Sequence, residues 1–340
     1  MVFGALGEGL GSFEQFGYEK RMHSILPPVV LTRRSALLAS GFSVAGFSTA
    51  CSVNPDYNHD AEDAPRQLIT LRTAAQKPIQ NIWVLSSGGP RGFVHVGVIK
   101  ALEELGHKPD LIVGGSVGSL VGALYAGGVK ARELEDMALN LGVTDMGRLA
   151  ILGDGKFTGS PLAAIVNQAL IERCGTCEMQ KLPIAFAAAT VERESRKTVL
   201  LNHGDAGIAV QASCAIEGTF TPVRIRGTQF VDADLVAPMP VRLAGRLAAA
   251  YNAQRVATTK ALAIDASARP EMAPKGVDRW RESDKLKRSL VAPDAAASSL
   301  TLHPEMSYFV NVSQEFRLRT IADGYKYTMA RAALIKAALG

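Results

Sequence analysis

A glycine-flanked serine lies in the most informative stretch of the chain, residues 111–128, which read LIVGGSVGSLVGALYAGG. The first residues of this stretch are apolar and branched, which is typical of a buried strand, and small and apolar residues at helical spacing end it. Between them, Gly114, Ser116 and Gly118 form a G-x-S-x-G pattern. After a strand and before a helix this pattern makes a nucleophile elbow, whose sharp turn exposes the serine hydroxyl. The stretch therefore predicts Ser116 as a nucleophile; an ordinary glycine-rich turn, such as a phosphate cradle, is the alternative.

A second glycine-rich loop, SGGPRG, follows an earlier predicted strand at residues 81–86 and precedes a predicted amphipathic helix at 93–105. Adjacent glycine N–H groups in such a loop can converge on the oxygen that becomes negative during acyl transfer. We therefore expect an oxyanion hole here, in the loop that contains Gly88, Gly89, Arg91 and Gly92. A nucleotide phosphate loop is disfavoured, because neither G-x-G-x-x-G nor a G-K-[ST] ending is present.

The two stretches SSGGPRGFVHVGVIKALEELG and LIVGGSVGSLVGALYAGG together resemble the start of the patatin-like phospholipases. In that family a G-G-x-R/K-G loop precedes the G-x-S-x-G serine by about one βαβ unit. The resemblance covers roughly residues 80–340, with one departure at Ser87, where family members often have another glycine. The alternation of predicted strands and helices also predicts a three-layer α/β/α fold with a mostly parallel central sheet.

An aspartate at the end of a later predicted strand is the base that the resemblance implies. The family pattern there is a strand followed by D-G-[GA], and Asp232 takes the place of the aspartate that forms a two-residue dyad with the serine. An ordinary carboxylate, with a pKa of about 3.9, is a poor base at pH 7, and desolvation would raise that pKa. Ala233 and Asp234 depart from the pattern, and the second carboxylate could compete as the base or repel charge on the first. The alternative is that both aspartates are solvated turn residues.

The resemblance implies hydrolysis of phospholipids or other acyl lipids through an acyl-enzyme, without a metal or an organic cofactor. Ser116 would attack the carbonyl carbon, and Asp232 would take and return the proton. Two alternatives remain open. A Ser–His–Asp esterase or peptidase would use His303, which follows the acid in the chain. A lipid-binding envelope protein with a silent site would account for the three departures from the family pattern.

The N-terminal segment predicts an export address. Arg33 and Arg34 precede the uncharged, modestly apolar run 35–50, which is too short and too rich in glycine and serine to span a bilayer securely. This pattern is typical of twin-arginine export signals, and its place in the chain favours Met22 as the translation start. The sequence STAC at its end resembles a lipoprotein processing box, which predicts lipidation of Cys51.

The sequence therefore predicts three regions: an export signal region at residues 1–50, a flexible tether at 51–80 and a patatin-like acyl hydrolase domain at 81–340. The predicted location is the periplasm, with a lipid anchor in a membrane. The net charge of +5 over 340 residues suits an anionic membrane surface but is too weak and too scattered to indicate nucleic-acid binding.

Three smaller features leave alternatives open. Cys174 and Cys177 form a C-x-x-C without the second pair or the histidines that zinc would need, so a local disulfide and free thiols both remain possible. His95 is expected to be a surface or capping residue. The polar segment 252–298 is interpreted as a solvated insertion, and a membrane-facing flap around Trp280 is the alternative.

Overall fold

The computed structural model describes residues 57–68, 77–142, 147–149, 157–253 and 257–340. The predicted export signal region and the lipidation site at Cys51 lie outside the described residues.

Strands and helices alternate along the chain. The strands are β1 (Asn58–His59), β2 (Asn81–Leu85), β3 (Leu111–Gly115), β4 (Arg148–Leu149), β5 (Phe157–Thr158), β6 (Ala185–Glu192), β7 (Thr198–Leu201), β8 (Val223–Ile225), β9 (Thr228–Asp232), β10 (Lys260–Ile264) and β11 (Leu300–Leu302). The helices are α1 (Phe93–Glu104), α2 (Val117–Ala126), α3 (Ala131–Asn140), α4 (Ser160–Cys174), α5 (Ala206–Ser213), α6 (Val241–Tyr251), α7 (Asp278–Ala296), α8 (Gln314–Met329) and α9 (Ala332–Leu339).

The central layer is a sheet with the strand order β1-β8-β9-β6-β3-β2-β10-β11, and β7 also pairs with β6. The run β11-β10-β2-β3-β6 is parallel throughout. Beyond it, β9 pairs antiparallel with β6, and β8 pairs antiparallel with β9. The predicted mostly parallel sheet is therefore confirmed, with an antiparallel portion on the side where β9 carries Asp232.

Both faces of the sheet are covered. Alternate side chains of a strand point to opposite faces, and accordingly Trp83 and Leu85 belong to one apolar core while Ile82 and Val84 belong to the other. The first core includes buried residues of α1 to α5, α8 and α9, and the second includes residues of α6 and α7. This arrangement confirms the predicted three-layer α/β/α fold.

Helix α1, which follows the glycine loop, is packed tightly against α8. A Cβ atom on Gly97 would lie 1.9 Å from the Ile321 carbonyl oxygen, and one on Gly324 would lie 2.5 Å from the Val94 carbonyl oxygen. The two helices therefore meet at main-chain distance, and only glycine fits at either contact. This contact fixes the helix whose first turn begins directly after the glycine loop.

The prediction of a flexible tether is wrong for the described residues 57–68. Strand β1 pairs in parallel with β8, Ala64 is buried, and the Leu68 N–H donates to Asn202 Oδ1 at 2.8 Å. Ile79 is also buried, and its N–H donates to Asn252 Oδ1 at 2.9 Å. These residues pack on the domain that contains the central sheet, because their main chain finds hydrogen-bond partners there.

The predicted solvated insertion at 252–298 is wrong as well, because it contains the helix α7. Lys287 and Arg288 of α7 form ion pairs with Asp234, which follows β9, and with Asp265, which follows β10. Charged residues on the inward side hide the apolar periodicity by which a helix is ordinarily predicted. In the described part of the chain, no helix has the length and apolar character needed to cross a membrane.

Candidate active site

The predicted elbow is present between β3 and α2. Ser116 has φ 51° and ψ −127°, a conformation that residues with a side chain rarely adopt. A Cβ atom on Gly114 would lie 2.3 Å from the Gly118 carbonyl oxygen, and one on Gly118 would lie 2.3 Å from that of Leu85. The two glycines that flank the serine are thus required by close main-chain contacts within the turn and with β2.

Three hydrogen bonds hold the elbow. The Ser116 N–H donates to Ser213 Oγ at 2.8 Å, and that hydroxyl donates to the Ala189 carbonyl oxygen at 2.6 Å. On the other side, Ser119 Oγ donates to the Ser116 carbonyl oxygen at 2.6 Å. Ser213 was not predicted as a site residue, because it is one of several small residues in α5 and only the fold brings it to the elbow.

The glycine loop lies beside the elbow. Gly89 to Gly92 form a single 3-10 turn, and its Arg91 N–H donates to the Gly88 carbonyl oxygen at 3.2 Å. The N–H groups of Gly88 and Gly89 precede that bond, so the turn itself does not use them. Gly89 has φ 53°, and a Cβ atom there would have no neighbour within 4 Å. The loop thus offers the N–H groups of Gly88 and Gly89 at the start of the turn, and the space beside Gly89 is open.

The loop and the elbow also touch. A Cβ atom on Gly92 would lie 2.2 Å from Cγ1 of Val117, the residue after Ser116. Gly88 is equally confined, because a Cβ atom there would lie 2.7 Å from Ala266 Cβ. The glycine loop therefore packs against the residue that follows the predicted nucleophile, a contact that an oxyanion hole in this loop requires.

The side chain of Arg91 points to a neighbouring cleft. Its guanidinium donates to the Tyr308 carbonyl oxygen and lies 5.9 Å from the centroid of the Tyr308 ring. Arg91 lines this cleft together with Arg269, Met272 and Met306. The loop therefore forms part of the wall of an open cleft that has both apolar and basic side chains.

Strand register brings Asp232 to the elbow. Gly115, the last residue of β3, is paired with Ala189 of β6, and the next residue of β6, Thr190, is paired with Asp232. Strand β7 pairs with both Ala189 and Thr190 on one edge of β6, so β3 and β9 share the other edge. Asp232 therefore lies one residue position beyond Gly115 along that edge. The sheet itself therefore places the predicted acid within side-chain reach of Ser116.

The carboxyl group of Asp232 is buried, with 7% of the residue exposed. Oδ1 accepts a hydrogen bond from the Asp234 N–H at 2.8 Å, while Oδ2 is buried without a partner of ordinary hydrogen-bond geometry among the described residues. Burial raises the pKa of Asp232 to about 7, repulsion from Asp234 adds to the rise, and an interaction with the Ser116 hydroxyl opposes it. A carboxylate in this state is far more basic than an exposed one.

Asp234, the second aspartate, has its own partners. Its carboxylate accepts hydrogen bonds from Ser87 Oγ and from Lys287 Nζ. Burial acts to raise the pKa of Asp234, but Lys287 and Ser87 hold it below its ordinary value. Asp234 is therefore an engaged anion, and the two polar departures from the family pattern, Ser87 and Asp234, contact each other.

The structure places His303 with a different acid. Its Nε2 lies 3.0 Å from the Ser267 carbonyl oxygen, and its Nδ1 lies 3.7 Å from Oδ2 of the fully buried Asp265. Arg288 completes this cluster by binding the same carboxylate. These partners occupy both ring nitrogens of His303, and neither of them is the predicted nucleophile or its acid.

His95 is fully buried, so the prediction of a surface or capping residue is wrong. Its Nε2 donates to the Ser86 carbonyl oxygen at 2.9 Å, and burial lowers the pKa of His95 to about 4. The ring is therefore neutral at pH 7. It ties α1 to the residue that precedes the glycine loop.

The three cysteines in the described part of the chain are unbridged, so of the two possibilities left open for Cys174 and Cys177 the structure favours free thiols. Cys177 Sγ lies 3.8 Å from Asp205 Oδ2, and Cys174 Sγ donates to the Leu170 carbonyl oxygen at 3.2 Å. Cys214 lies near the site, where burial and the negative charge of Asp232 raise the pKa of its thiol.

Comparison with known proteins assigns the domain that contains these groups. Residues 83–244 match the sequence model of the patatin-like phospholipase family, described as "Patatin-like phospholipase". An uncharacterised NTE family protein of Mycobacterium tuberculosis is 32% identical over 158 residues, which cover 46% of this chain and 43% of the relative. A lysophospholipase of Yarrowia lipolytica is 25% identical over 197 residues, which cover 57% of this chain and 13% of the relative.

The chain therefore spans less than half the length of the relatives described above. Among solved structures, VipD from Legionella pneumophila aligns with a TM-score of 0.51 and 12% identity, over 76% of this chain and 67% of that chain. That likeness concerns the fold alone. The sequence match begins within β2 and covers both glycine turns and the strand that ends at Asp232. The segment of residues 83–244 belongs to the patatin-like phospholipase family.

Proposed function

We propose that the protein is a lipid acyl hydrolase of the phospholipase A or lysophospholipase type, a serine carboxylic-ester hydrolase that uses Ser116 and Asp232. The observation that carries this proposal is the pairing of a serine at φ 51° with a buried carboxyl group whose pKa burial raises to about 7. A serine hydroxyl is a weak nucleophile and needs a positioned base. The carboxylate of Asp232 at the end of β9, with its raised pKa, is such a base.

The chemistry follows from the positions of the groups. The carboxylate of Asp232 takes the hydroxyl proton of Ser116 as Oγ attacks the ester carbonyl carbon. The N–H groups of Gly88 and Gly89 stabilise the resulting oxyanion, and one such donor is typically worth about 2.7–4 kcal/mol of barrier. Asp232 then gives the proton to the leaving alcohol, and an acyl group remains on Ser116. Water, deprotonated by the same carboxylate, releases the fatty acid and restores the serine.

Two observations favour this proposal over its alternatives. The hydrogen bonds of His303 go to Ser267, and its nearest acid is Asp265, which leaves no role for it in a triad. The polar departures Ser87 and Asp234 bind each other and leave the serine, its acid and the glycine loop in place. A silent lipid-binding site would not need a buried carboxylate of raised pKa beside a strained serine.

The substrate class rests on relatives as well as on the site. The relative in Yarrowia lipolytica is named a lysophospholipase, and the cleft beside the glycine loop combines apolar and basic side chains. Such a lining suits a molecule with an acyl chain and an anionic headgroup. We infer that phospholipids or lysophospholipids are the substrates.

A membrane surface is the proposed partner. Trp280 and Phe309 are 43% and 52% exposed, and their ring centroids lie 6.1 Å apart. Met272, which is 43% exposed, lines the cleft, and Phe309 follows Tyr308 of its wall. Exposed aromatic and apolar side chains at the rim of a lipid-binding cleft suit the interface of a bilayer. Export and lipidation at Cys51 would bring this rim to a membrane, and both remain proposals.

The function is tested by reacting the purified full chain with a fluorophosphonate probe, which labels activated serines. We expect labelling of the wild type, loss of labelling with Ser116→Ala and with Asp232→Asn, and unchanged labelling with His303→Ala. Loss with His303→Ala would support the Ser–His–Asp alternative. A folded wild type that neither reacts with the probe nor hydrolyses lysophosphatidylcholine would leave the lipid-binding alternative.

The membrane contact is tested by co-sedimentation with anionic phospholipid vesicles. The double variant Trp280→Ala/Phe309→Ala is expected to bind vesicles at least tenfold more weakly, because two interfacial aromatic side chains are lost. Ile171→Ala is the matched control, since Ile171 is 52% exposed but lies on α4. Equal loss in the control and in the double variant would contradict the proposal.

A further inference from the structure

Three segments of the chain meet at the carboxylate of Asp234. Ser87 Oγ, from the loop after β2, donates to Asp234 Oδ1, and Lys287 Nζ, from α7, binds the same oxygen. The main-chain N–H of Asp234 donates to Oδ1 of Asp232 at 2.8 Å. A second bond joins the same two loops, because the Ser87 N–H donates to the Pro238 carbonyl oxygen at 2.8 Å.

We propose that Asp234, bound to Ser87 and Lys287, is a positioning residue that holds the glycine loop and the Asp232 loop in the geometry that acyl transfer requires. The proposal rests on the proposed function and assigns a role to the two polar residues that depart from the family pattern. Asp234 acts through other groups: through Ser87 on the loop that holds the oxyanion, and through its own main chain on the base.

The position of Ser87 matters because Gly88, the first glycine of the loop, follows it directly. Gly88 is confined on its other side, where a Cβ atom would lie 2.7 Å from Ala266 Cβ. Ser87 itself is buried, with 1% exposed. A loop held between these contacts keeps its N–H groups in place before the oxyanion forms, and preorganisation of this kind is what makes such donors effective.

Charge matters because the negative charge of Asp234 acts on the carboxyl group of Asp232. The groups that face Asp232 are Ser116 at the start of α2, Cys214 after α5, Asp234 from its own loop and Lys287 from α7. Of these, only Asp234 and Lys287 carry a charge at pH 7, and they form an ion pair. Loss of the anion would leave Lys287 to favour ionised Asp232, whereas loss of the cation would leave the anion to oppose it.

The test is the pH dependence of kcat/KM with p-nitrophenyl butyrate, measured on the full chain. Asp234→Asn is expected to move the midpoint of the acidic limb down by about one pH unit, and Lys287→Met to move it up by a similar amount. Ser87→Ala changes no charge. It is expected to lower kcat about tenfold with KM and the midpoint nearly unchanged, because a bond to a charged acceptor is lost.

The matched control is the exposed ion pair of Glu282 and Lys285 on the same helix α7. Glu282→Gln and Lys285→Met are expected to leave the midpoint and kcat unchanged. Thermal unfolding confirms that each variant is folded, and Ser116→Ala confirms that the measured hydrolysis depends on the serine. If hydrolysis depends on Ser116 but folded Asp234→Asn keeps the wild-type midpoint and Ser87→Ala keeps the wild-type kcat, the positioning role is wrong. Hydrolysis that persists in Ser116→Ala would instead contradict the proposed function.

Discussion

The main-chain N–H of Ser116 donates a hydrogen bond of 2.8 Å to the hydroxyl of Ser213, which in turn donates one to the Ala189 carbonyl oxygen of β6. These two hydrogen bonds anchor the strained serine to β6 through the side chain of another serine. A residue at positive φ persists only where its surroundings hold it. Ser213 supplies one of the contacts that hold it.

The change Ser213→Ala tests this anchor. It removes the acceptor of a buried N–H, so we expect the free energy of unfolding to fall by about 1–3 kcal/mol and fluorophosphonate labelling of Ser116 to slow. Urea denaturation and the labelling rate measure the two effects. Ser289→Ala is the control: Ser289 Oγ donates to the Leu286 carbonyl oxygen at an exposed site, and its loss is expected to change stability by less than about 0.5 kcal/mol. Equal effects of the two changes on stability and labelling would show that the bond to Ser213 does not hold Ser116 in its strained conformation.

The change Asp232→Asn is expected to abolish labelling and yet stabilise the protein at alkaline pH. Burial raises the pKa of Asp232 to about 7, so the folded state binds this proton more tightly than the unfolded state does. The wild type therefore loses stability relative to the variant as the pH rises from about 4 to about 7, and the difference is constant above that range. We expect the variant to be more stable by at least about 1 kcal/mol at pH 8.

Urea denaturation at pH 5 and at pH 8 checks this sign. The gap between variant and wild type must be larger at pH 8 than at pH 5. A variant that is less stable than the wild type at pH 8 would mean that the buried carboxylate is satisfied in the folded state, and Asp232 would then be a poor candidate for the base.

The change Gly118→Ala tests the packing of the elbow. The added Cβ atom would lie 2.3 Å from the Leu85 carbonyl oxygen, which belongs to a central strand and cannot move freely. We expect a loss of more than about 3 kcal/mol of stability, or failure to fold.

Gly245 of α6 is the matched control, because a Cβ atom there has no neighbour within 4 Å. Gly245→Ala is expected to stabilise the helix by about 0.5–1 kcal/mol. Thermal unfolding distinguishes the two changes, and a tolerated Gly118→Ala would be inconsistent with the main-chain contact.

The sequence predicted the parts of the site that depend on local pattern. The strands at 81–86 and 111–114, the glycine turns after them and the acid at the end of a later strand are all where the pattern placed them. These features are predictable because glycine and buried apolar runs act on their own neighbours. The family resemblance added the pairing of Ser116 with Asp232, which lies outside the reach of any local pattern.

The features that were missed depend on distant partners. Helix α7 reads as polar because Lys287 and Arg288 point inward to acids that come from other parts of the chain. His95 was placed at the surface because nothing in its own helix reveals the Ser86 carbonyl oxygen that it binds. Burial of a polar group is settled by its partner, and a partner across the sheet has no signature in the local sequence.

His95 leads to a prediction of the opposite sign to that of Asp232. Burial lowers the pKa of His95 to about 4, so the unfolded state binds this proton more tightly than the folded state does. The wild type therefore gains stability as the pH rises from about 4 to about 6.5, and it loses that contribution again on acidification.

Glutamine has an amide N–H that can reach the Ser86 carbonyl oxygen and carries no titratable group. In His95→Gln the pH dependence of the free energy of unfolding between pH 4.5 and pH 7 is expected to be smaller than in the wild type by about 1–3 kcal/mol. Urea denaturation at both pH values measures the difference. An unchanged pH dependence in a folded variant would mean that His95 is protonated as readily in the folded state as in the unfolded one. The bond to Ser86 would then not require the neutral ring.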